Sequence, residues 1–165
     1  MKKFFKEWGS TILICLGIVF IKVGVIDTVE VDGLSMYPTF NDEDRVVIEK
    51  VTRYGNIYNY GDIIILNSHR GDKARGISDY WIKRVIGLEG DTIECKNNII
   101  YRNGEEIKED YIPEGIITSN IKKVVVPKGA MYVLGDNRTN STDSRVIGSV
   151  DYDDIYGKVI YNISK

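Results

Sequence analysis

The sequence predicts a mostly β protein with antiparallel strands, carried on one N-terminal helix that crosses a membrane. Three observations lead to this fold class. The chain has 165 residues, enough for one domain with a substantial core. It is rich in Ile and Val and contains 11 Tyr, residue types that suit strands. After residue 27 the apolar runs are short, joined by short turns, and without useful helical periodicity.

The N-terminal segment, residues 1–27, is predicted to be a membrane anchor. Residues 9–26 are apolar apart from Ser10, Thr11 and Lys22. As a helix this run would span about 27 Å, close to the ~30 Å hydrocarbon thickness of a bilayer. The long stem of Lys22 lets its ammonium reach the headgroups. Three lysines before the run and three acids soon after it place the N-terminus in the cytoplasm.

Two alternatives to an uncleaved anchor are weaker. A cleavable signal peptide shares the basic start and apolar middle, but no small-x-small cleavage site follows before Ser35. A buried helix of a soluble domain would leave the flanking charges unexplained. We therefore predict a single-pass protein of the cell membrane with an extracytoplasmic domain over residues 28–165. Ser35 then lies nine residues beyond Ile26, at the membrane surface.

Apolar β-branched runs bounded by glycine, proline or acidic turns predict the strands of this domain. In chain order they cover residues 45–51, 63–66, 80–88, 92–95, 99–102, 122–126, 130–134 and 151–163. Asn103-Gly104 predicts a tight hairpin between residues 99–102 and 105–107. Polar loops are predicted over residues 67–79 and 113–120.

Ser35 is the first candidate for chemistry, because it sits in a turn of unusual composition. Gly33 permits backbone angles that other residues avoid, and Pro38 fixes its own φ and restricts Tyr37. A serine framed in this way lies on a shaped turn rather than in a ladder, as a nucleophile requires. An ordinary turn is the commoner meaning of such a pattern taken alone.

Lys83 is the second candidate. Strand alternation places it on one face with Trp81 and Val85, while Arg84 lies on the other face. Desolvation beside the indole would lower the pKa of the lysine from about 10.4, and only a depressed lysine can take a proton from a serine hydroxyl. A lysine stem that crosses an apolar face with its head in water is the simpler alternative.

The composition argues against several other kinds of function. The net charge of −2 argues against nucleic-acid binding. Cys15 lies in the apolar N-terminal segment and Cys95 in the polar part, so no disulfide between them is expected. His69, the one histidine, lies in a predicted loop with no carboxylate arrangement indicated around it. It is expected to be solvated rather than catalytic.

Residues 135–145 are dense in polar groups and, taken alone, suit a loop held by Asx-turns. They complete a set of four stretches that occur in a fixed order. The stretches are Gly33-x-Ser35-Met36-x-Pro38-Thr39, Gly61-Asp62, Lys83-Arg84-x-x-Gly87-x-x-Gly90-Asp91 and Gly135-Asp136-Asn137-Arg138-x-x-Ser141-x-Asp143-Ser144-Arg145. Together, behind an N-terminal anchor, they resemble the type I signal peptidases, in the form typical of Gram-positive bacteria.

The resemblance implies a membrane-bound Ser–Lys endopeptidase that removes signal peptides from exported preproteins. Ser35 would be the nucleophile and Lys83 the general base, and the backbone N–H of Ser35 would be one oxyanion donor. Substrates would carry small residues at positions −1 and −3 and bind extended along a strand edge. The lipid bilayer would be the other partner, and no metal or cofactor is implied.

Further residues are implied to support the site. Ser141 would hydrogen-bond and orient Lys83. Two ion pairs would hold the site together, Asp143 with Arg145 and Arg84 with Asp136.

The chain departs from the family pattern at several positions. Gly33 stands where Gram-negative members have a serine, so a second oxyanion donor is not assigned by a side chain. Trp81 replaces the usual tyrosine, Phe40 a leucine and Glu89 a proline. The short segment between Lys83 and the last motif indicates that the extra β-domain of Gram-negative members is reduced.

Two other readings of the sequence remain open. One is a related Ser–Lys peptidase with a narrow client, such as a conjugative pilin processor or a self-cleaving repressor. The repressor version is disfavoured because a membrane segment stands where its DNA-binding domain would be. The other is a membrane-tethered binding protein without catalysis, which would require a blocked site.

Overall fold

The computed structural model describes residues 2–69 and 80–164. A long helix is followed by antiparallel strands and short helical turns. The elements are α1 (Lys2–Gly24), β1 (Ile26–Glu30), β2 (Arg45–Glu49), α2 (Thr52–Gly55), β3 (Ile63–Asn67), β4 (Tyr80–Gly87), β5 (Thr92–Lys96), β6 (Ile99–Arg102), β7 (Glu105–Glu106), β8 (Ile121–Val125), β9 (Ala130–Leu134), α3 (Ser144–Ile147), β10 (Val150–Asp151), a 3₁₀ turn (Tyr152–Asp154) and β11 (Ile155–Asn162).

The strands form two sheets. The larger sheet has the order β1-β2-β11-β3-β4-β9-β10, and the smaller one has the order β7-β6-β5-β8. Each strand pairing in the described residues is antiparallel. The prediction of a mostly antiparallel β protein is therefore confirmed.

The packing of the larger sheet supports the turn that carries Ser35. Met36 and Phe40, on either side of the turn's proline, are buried with Val46 and Ile48 of β2 and Ile65 of β3. Burying a side chain of this size stabilises the fold by about 1.5–3 kcal/mol. These two anchors fix the turn on the sheet, while Ser35, directly before Met36, stays partly exposed.

A second apolar cluster joins the two sheets. Ile86 of β4 and Leu134 of β9 pack against Ile93 and Cys95 of β5 and Ile100 of β6. The strands that carry Lys83 and the last motif are therefore backed by the smaller sheet. Cys95 is buried and Cys15 is exposed, and both are free thiols, in agreement with the predicted absence of a disulfide.

The strand predictions were wrong in two places, one missed strand and one interrupted strand. Residues 26–30 form β1, paired with β2 from Ile26↔Glu49 to Glu30↔Arg45, although no strand was predicted there. Two acids mask this strand, because Asp27 and Glu30 lie among its β-branched residues. The predicted strand over residues 151–163 is interrupted by the 3₁₀ turn, where the Tyr152 N–H bonds Gly129 O at 2.8 Å.

The predicted turns and loops agree better with the structure. Asn103 and Gly104 have φ values of 57° and 84° and connect β6 to β7, the backbone geometry that an Asn-Gly hairpin requires. Residues 113–120 contain no helix or strand. Of the predicted loop 67–79, residues 70–79 lie outside the described residues.

A polar cluster fixes the point where α1 meets the larger sheet. The Lys50 N–H donates to Val25 O at 2.8 Å, and Lys50 Nζ donates to Asp27 Oδ2 at 2.8 Å. The Tyr156 hydroxyl donates to the same oxygen at 2.7 Å. Strand β1 is thus tied to both β2 and β11 next to the helix.

Helix α1 extends over 23 residues. Where its side chains are described, the apolar ones are largely exposed; that of Leu13 is 71% accessible. Within the part of the chain that the structure covers, no helix is long and apolar enough to cross a membrane.

Candidate active site

Ser35 lies in the turn between β1 and β2. Gly33 has a φ of 88°, a conformation that favours glycine, and its N–H donates to Asp42 Oδ1 at 2.7 Å. The Tyr37 N–H closes the turn on Leu34 O at 3.1 Å. The backbone on both sides of Ser35 is therefore fixed by the turn itself.

Lys83 extends from β4 to this serine. Lys83 is only 3% exposed. Its Nζ donates to Ser35 Oγ at 2.9 Å and to Ile82 O at 2.7 Å. Nζ also lies 5.7 Å from the ring centroid of Trp81, as strand alternation predicts. Burial lowers the pKa of Lys83 from 10.5 to about 8, although Asp143 and Asp136 raise it. The alternative of a lysine head in water is therefore wrong.

The last motif clamps the carbonyl groups of the serine turn. The Asn137 N–H donates to Ser35 O at 3.0 Å, and Asn137 Nδ2 donates to Leu34 O at 3.0 Å. The Ser35 N–H has no hydrogen-bond partner among the described residues. A polarised donor next to the hydroxyl is thus left for a ligand.

Gly135 allows the motif to approach the serine this closely. A Cβ at this position would lie 2.5 Å from Ser35 O and 2.2 Å from Ser141 Oγ, closer than real Cβ contacts. The Gly135 N–H donates to Asp143 Oδ2 at 3.0 Å. Only glycine fits here without moving the serine turn.

Arg84 and Asp136 form a buried, two-pronged ion pair. Arg84 Nε donates to Asp136 Oδ1 at 2.8 Å and Nη2 to Oδ2 at 2.6 Å. The Thr39 hydroxyl donates to the same carboxylate, and Arg84 Nη1 donates to Gly61 O at 3.1 Å. Bidentate pairs of this kind fix geometry as well as charge. This pair joins β4, the serine turn and the last motif.

Asp143 and Arg145 form a second pair of the same kind. Arg145 Nε donates to Asp143 Oδ1 at 2.8 Å and Nη2 to Oδ2 at 2.7 Å. Burial raises the pKa of Asp143, but the bonds from Arg145 and Gly135 outweigh it and hold the pKa below its ordinary value. The fully buried carboxylate is thus ionised. It holds the end of the last motif against Gly135.

Two cavities open beside Ser35. Both are lined by Asp32, Ser35, Trp81 and Lys83. The smaller one, about 110 Å³, has apolar walls from Val29, Val31, Ile65 and Ile82. The larger one, about 350 Å³, is more open and is completed by Gly33, Leu34, Asn140 and Thr142. A hydroxyl bonded to a buried amine therefore faces an accessible groove, an arrangement suited to nucleophilic catalysis.

Comparison with known proteins decides the family. The family described as signal peptidase, peptidase S26, matches residues 5–163. Signal peptidase I P of Bacillus subtilis subsp. natto is 38% identical over 92% of this chain and 84% of its own length. Signal peptidase I S of Bacillus subtilis strain 168 is 36% identical over 87% of this chain and 80% of its own length. The chain belongs to the peptidase S26 signal peptidase family.

A solved structure agrees with this family. The crystal structure of a signal peptidase I from Enterococcus faecalis V583 is 30% identical, with a TM-score of 0.53. The match covers 64% of this chain and 97% of that one. Membership supports removal of signal peptides from preproteins as the reaction and indicates a serine endopeptidase, a type I signal peptidase.

One contact implied by the family resemblance is not formed. Ser141 was expected to hydrogen-bond Lys83, but Nζ bonds Ser35 Oγ and Ile82 O instead. Ser141 Oγ is buried and interacts with Asp143, whose pKa it helps to lower. The backbone carbonyl of Ile82 accepts the hydrogen bond from Lys83 Nζ that was assigned to Ser141.

A buried layer of polar contacts behind the site was not predicted from the sequence. Arg138 Nη1 donates to Glu109 Oε2 and to Thr118 Oγ1, both at 2.9 Å, and Nε donates to Gly135 O at 3.1 Å. The Tyr111 ring stacks 3.8 Å from the Arg84 guanidinium. Arg138 stood in the last motif without a role. The other residues lie in a connection before β8, where the local sequence gives no signal.

His69 has a partner that the sequence did not indicate. Its Nε2 lies 2.7 Å from Asp154 Oδ1, a contact that no sequence pattern indicated. The distant chain position of Asp154 hid the contact. The histidine ring is exposed, and His69 lines neither of the two cavities beside Ser35.

Proposed function

We propose that this signal peptidase works through a Ser–Lys dyad, with Ser35 as nucleophile and Lys83 as general base. The 2.9 Å contact between Lys83 Nζ and Ser35 Oγ carries the proposal, because the lysine is buried and its pKa is lowered to about 8. A lysine of pKa 10.5 would be less than about one per cent neutral at pH 8, whereas one of pKa 8 is about half neutral there.

The reaction follows from this geometry in two stages. Neutral Lys83 takes the hydroxyl proton as Ser35 Oγ attacks the scissile carbonyl, and the Ser35 N–H donates to the oxyanion. Donors of this kind are typically worth about 3 kcal/mol of barrier. Lys83 then gives its proton to the leaving amine, which is the new N-terminus of the mature protein. A water, deprotonated by Lys83, next attacks the acyl-enzyme and releases the signal peptide.

The two ion pairs, Arg84 with Asp136 and Asp143 with Arg145, support this cycle. Both carboxylates raise the pKa of Lys83, so they stabilise the ammonium that forms after proton transfer. They also hold the turn, the strand and the last motif in one arrangement. Ser141 is proposed to orient the lysine during the cycle, since its buried hydroxyl lies at Gly135, next to the serine turn.

The smaller cavity suits a small side chain at position −1. Its volume of about 110 Å³ is well below the ~300–1,000 Å³ of typical ligand pockets. Its apolar walls include the β-branched side chains of Val29, Val31, Ile65 and Ile82. An extended substrate lying along the groove would place residue −3 on the same face as residue −1.

Neither of the two other functions left open by the sequence gains support from the site. A non-catalytic binding protein would require a blocked site, whereas Ser35 opens onto both cavities. A narrow-client peptidase would share the dyad and differ only in substrate range.

The rate of cleavage is expected to depend on the protonation of Lys83. Its pKa is depressed, and its neutral form is the active base, so activity is lost as pH falls below about 8. We expect kcat/KM to fall about tenfold per pH unit on the acid side. The pH–rate profile of the detergent-solubilised enzyme measures this. A midpoint near 10, or a profile that is flat between about pH 6 and 9, would contradict the assignment.

We further propose that helix α1, within residues 1–27, forms a single-pass anchor, with the N-terminus in the cytoplasm and the catalytic domain outside. The apolar run over residues 9–26 and the lysines before it support this topology. The exposed apolar side chains on α1, such as Leu13, Leu16 and Ile18, also support it, because each is more than half exposed.

The anchor can be tested by fractionation and N-terminal sequencing. We expect the full-length protein to stay with membranes in alkaline carbonate and its N-terminal sequence to begin at or next to Met1. Protease added to intact protoplasts should remove the catalytic domain. Release by carbonate, or a mature start near Val25, would show that the segment is not an uncleaved anchor.

A further inference from the structure

Asp32 is a shared lining residue of the two cavities beside the nucleophile. It lines both of them, together with Ser35, Trp81 and Lys83. Val31 before it is buried in the core, so the alternation of the chain turns Asp32 out into the groove, where the residue is exposed. A carboxylate is thus placed within the groove rather than beneath it.

The other acids around the site already have partners. These pairs are Glu30 with Arg45 Nε at 3.2 Å, Asp42 with the Gly33 N–H at 2.7 Å, Asp136 with Arg84 at 2.6 Å and Asp143 with Arg145 at 2.7 Å. Asp32, in contrast, forms no hydrogen bond or ion pair with any described residue. Its charge is therefore not used to hold the turn.

The charge of the groove changes when the dyad is active. Lys83 is neutral when it acts as the base, so it does not balance the carboxylate beside it. The groove then carries an uncompensated negative charge at Asp32, in the same cavities that Ser35 lines. A complementary positive charge on a bound peptide would be attracted to this position.

We propose that Asp32 selects preproteins with a lysine or arginine at position +1 or +2, just after the cut. This inference rests on the proposed function, in which the smaller apolar cavity holds residue −1. The larger cavity, which Asp32 also lines, is then left for residues after the cut, and Asn140 and Thr142 make it polar. Long basic side chains can lay their stems along Trp81 and bring the charge to Asp32.

The test compares matched preproteins with the full-length enzyme in detergent. Each has an Ala-x-Ala site and carries Lys, Gln or Glu at one position, +1, +2 or −2. We expect kcat/KM for Lys at +1 or +2 to exceed that for Gln by roughly two- to fivefold, the range for an exposed ion pair. The Lys/Gln ratio should fall to about one in Asp32→Asn, and Glu should be preferred in Asp32→Lys.

Ratios within each variant separate selection from general activity, because a change in basal rate cancels. Asp153→Asn is the matched control, since it removes the same charge from an exposed residue in the 3₁₀ turn outside both cavities. It should keep the wild-type ratio. High salt should reduce the ratio in the wild type.

The proposal is overturned by a wild-type ratio of one, by a ratio that persists in Asp32→Asn, or by a preference confined to position −2. Cleavage of the Gln preprotein by the wild type reports the proposed function separately. That reference reaction distinguishes failure of the charge selection from failure of the dyad assignment.

Discussion

Lys83→Arg is expected to abolish cleavage, even though it keeps the positive charge and most of the length of the side chain. Arginine does not give up a proton in proteins, so it cannot accept one from Ser35 Oγ. Lys83→Ala should be equally inactive, because the base is then missing. A loss on the order of 10⁴–10⁶ in kcat is usual when a nucleophile loses its base. Single-turnover cleavage of a preprotein with excess enzyme measures such low rates.

Controls separate this effect from misfolding. Lys122→Arg makes the same chemical change at an exposed residue of β8 and should keep the wild-type rate. His69→Ala should also keep its rate, since His69 lies outside the groove. Thermal unfolding of Lys83→Arg should show a folded protein. Substantial activity in this variant would remove Lys83 from the role of base.

Gly135→Ala is expected to have the second largest effect. The added Cβ would lie 2.5 Å from Ser35 O, a backbone atom of the nucleophile's own residue, and 2.2 Å from Ser141 Oγ. A side chain can rotate away, but the backbone carbonyl cannot do so without moving the turn. Misplacement of a reacting group by about 1 Å can cost about 10²-fold in rate. We therefore expect kcat to fall by at least this factor.

Gly87→Ala is the matched control for Gly135→Ala. Its Cβ would meet Ile93 Cδ1 at 2.7 Å, so the strain falls on a flexible side chain in the core between the sheets. This variant should lose stability but keep most of its activity below its unfolding temperature. If Gly135→Ala were as active as the wild type, the close contact between the last motif and the serine turn would not matter for catalysis.

Much of the fold could be predicted from local patterns. β-branched runs ended by Gly-Asp, Asn-Gly or Pro-Lys-Gly gave the strand positions, because each strand buries alternate residues on a defined face. Strand β1 was not predicted, because its acids are paired across the sheet, as Asp27 is with Lys50. Those partners are 23 positions apart, and no local window contains both.

The site shows the same division between local and long-range information. Ser35, Lys83 and the residues of the last motif lie in recognisable stretches, and the structure brings them together. Glu109 and Tyr111 could not be found, because they reach the site from the connection before β8 through contacts with Arg138 and Arg84. The Lys83 rotamer, which selects Ile82 O over Ser141, depends on packing that the sequence alone does not specify.

The most direct test of the account is cleavage of a preprotein with an Ala-x-Ala site by the full-length protein, run beside Ser35→Ala. We expect the wild type to cut after the second alanine, and Ser35→Ala to leave the preprotein intact while it remains folded. Sequencing of the released mature protein identifies the bond that is cut. Cleavage by Ser35→Ala at the wild-type rate, or none by a folded wild type in detergent or lipid, would contradict the Ser–Lys mechanism proposed for this chain.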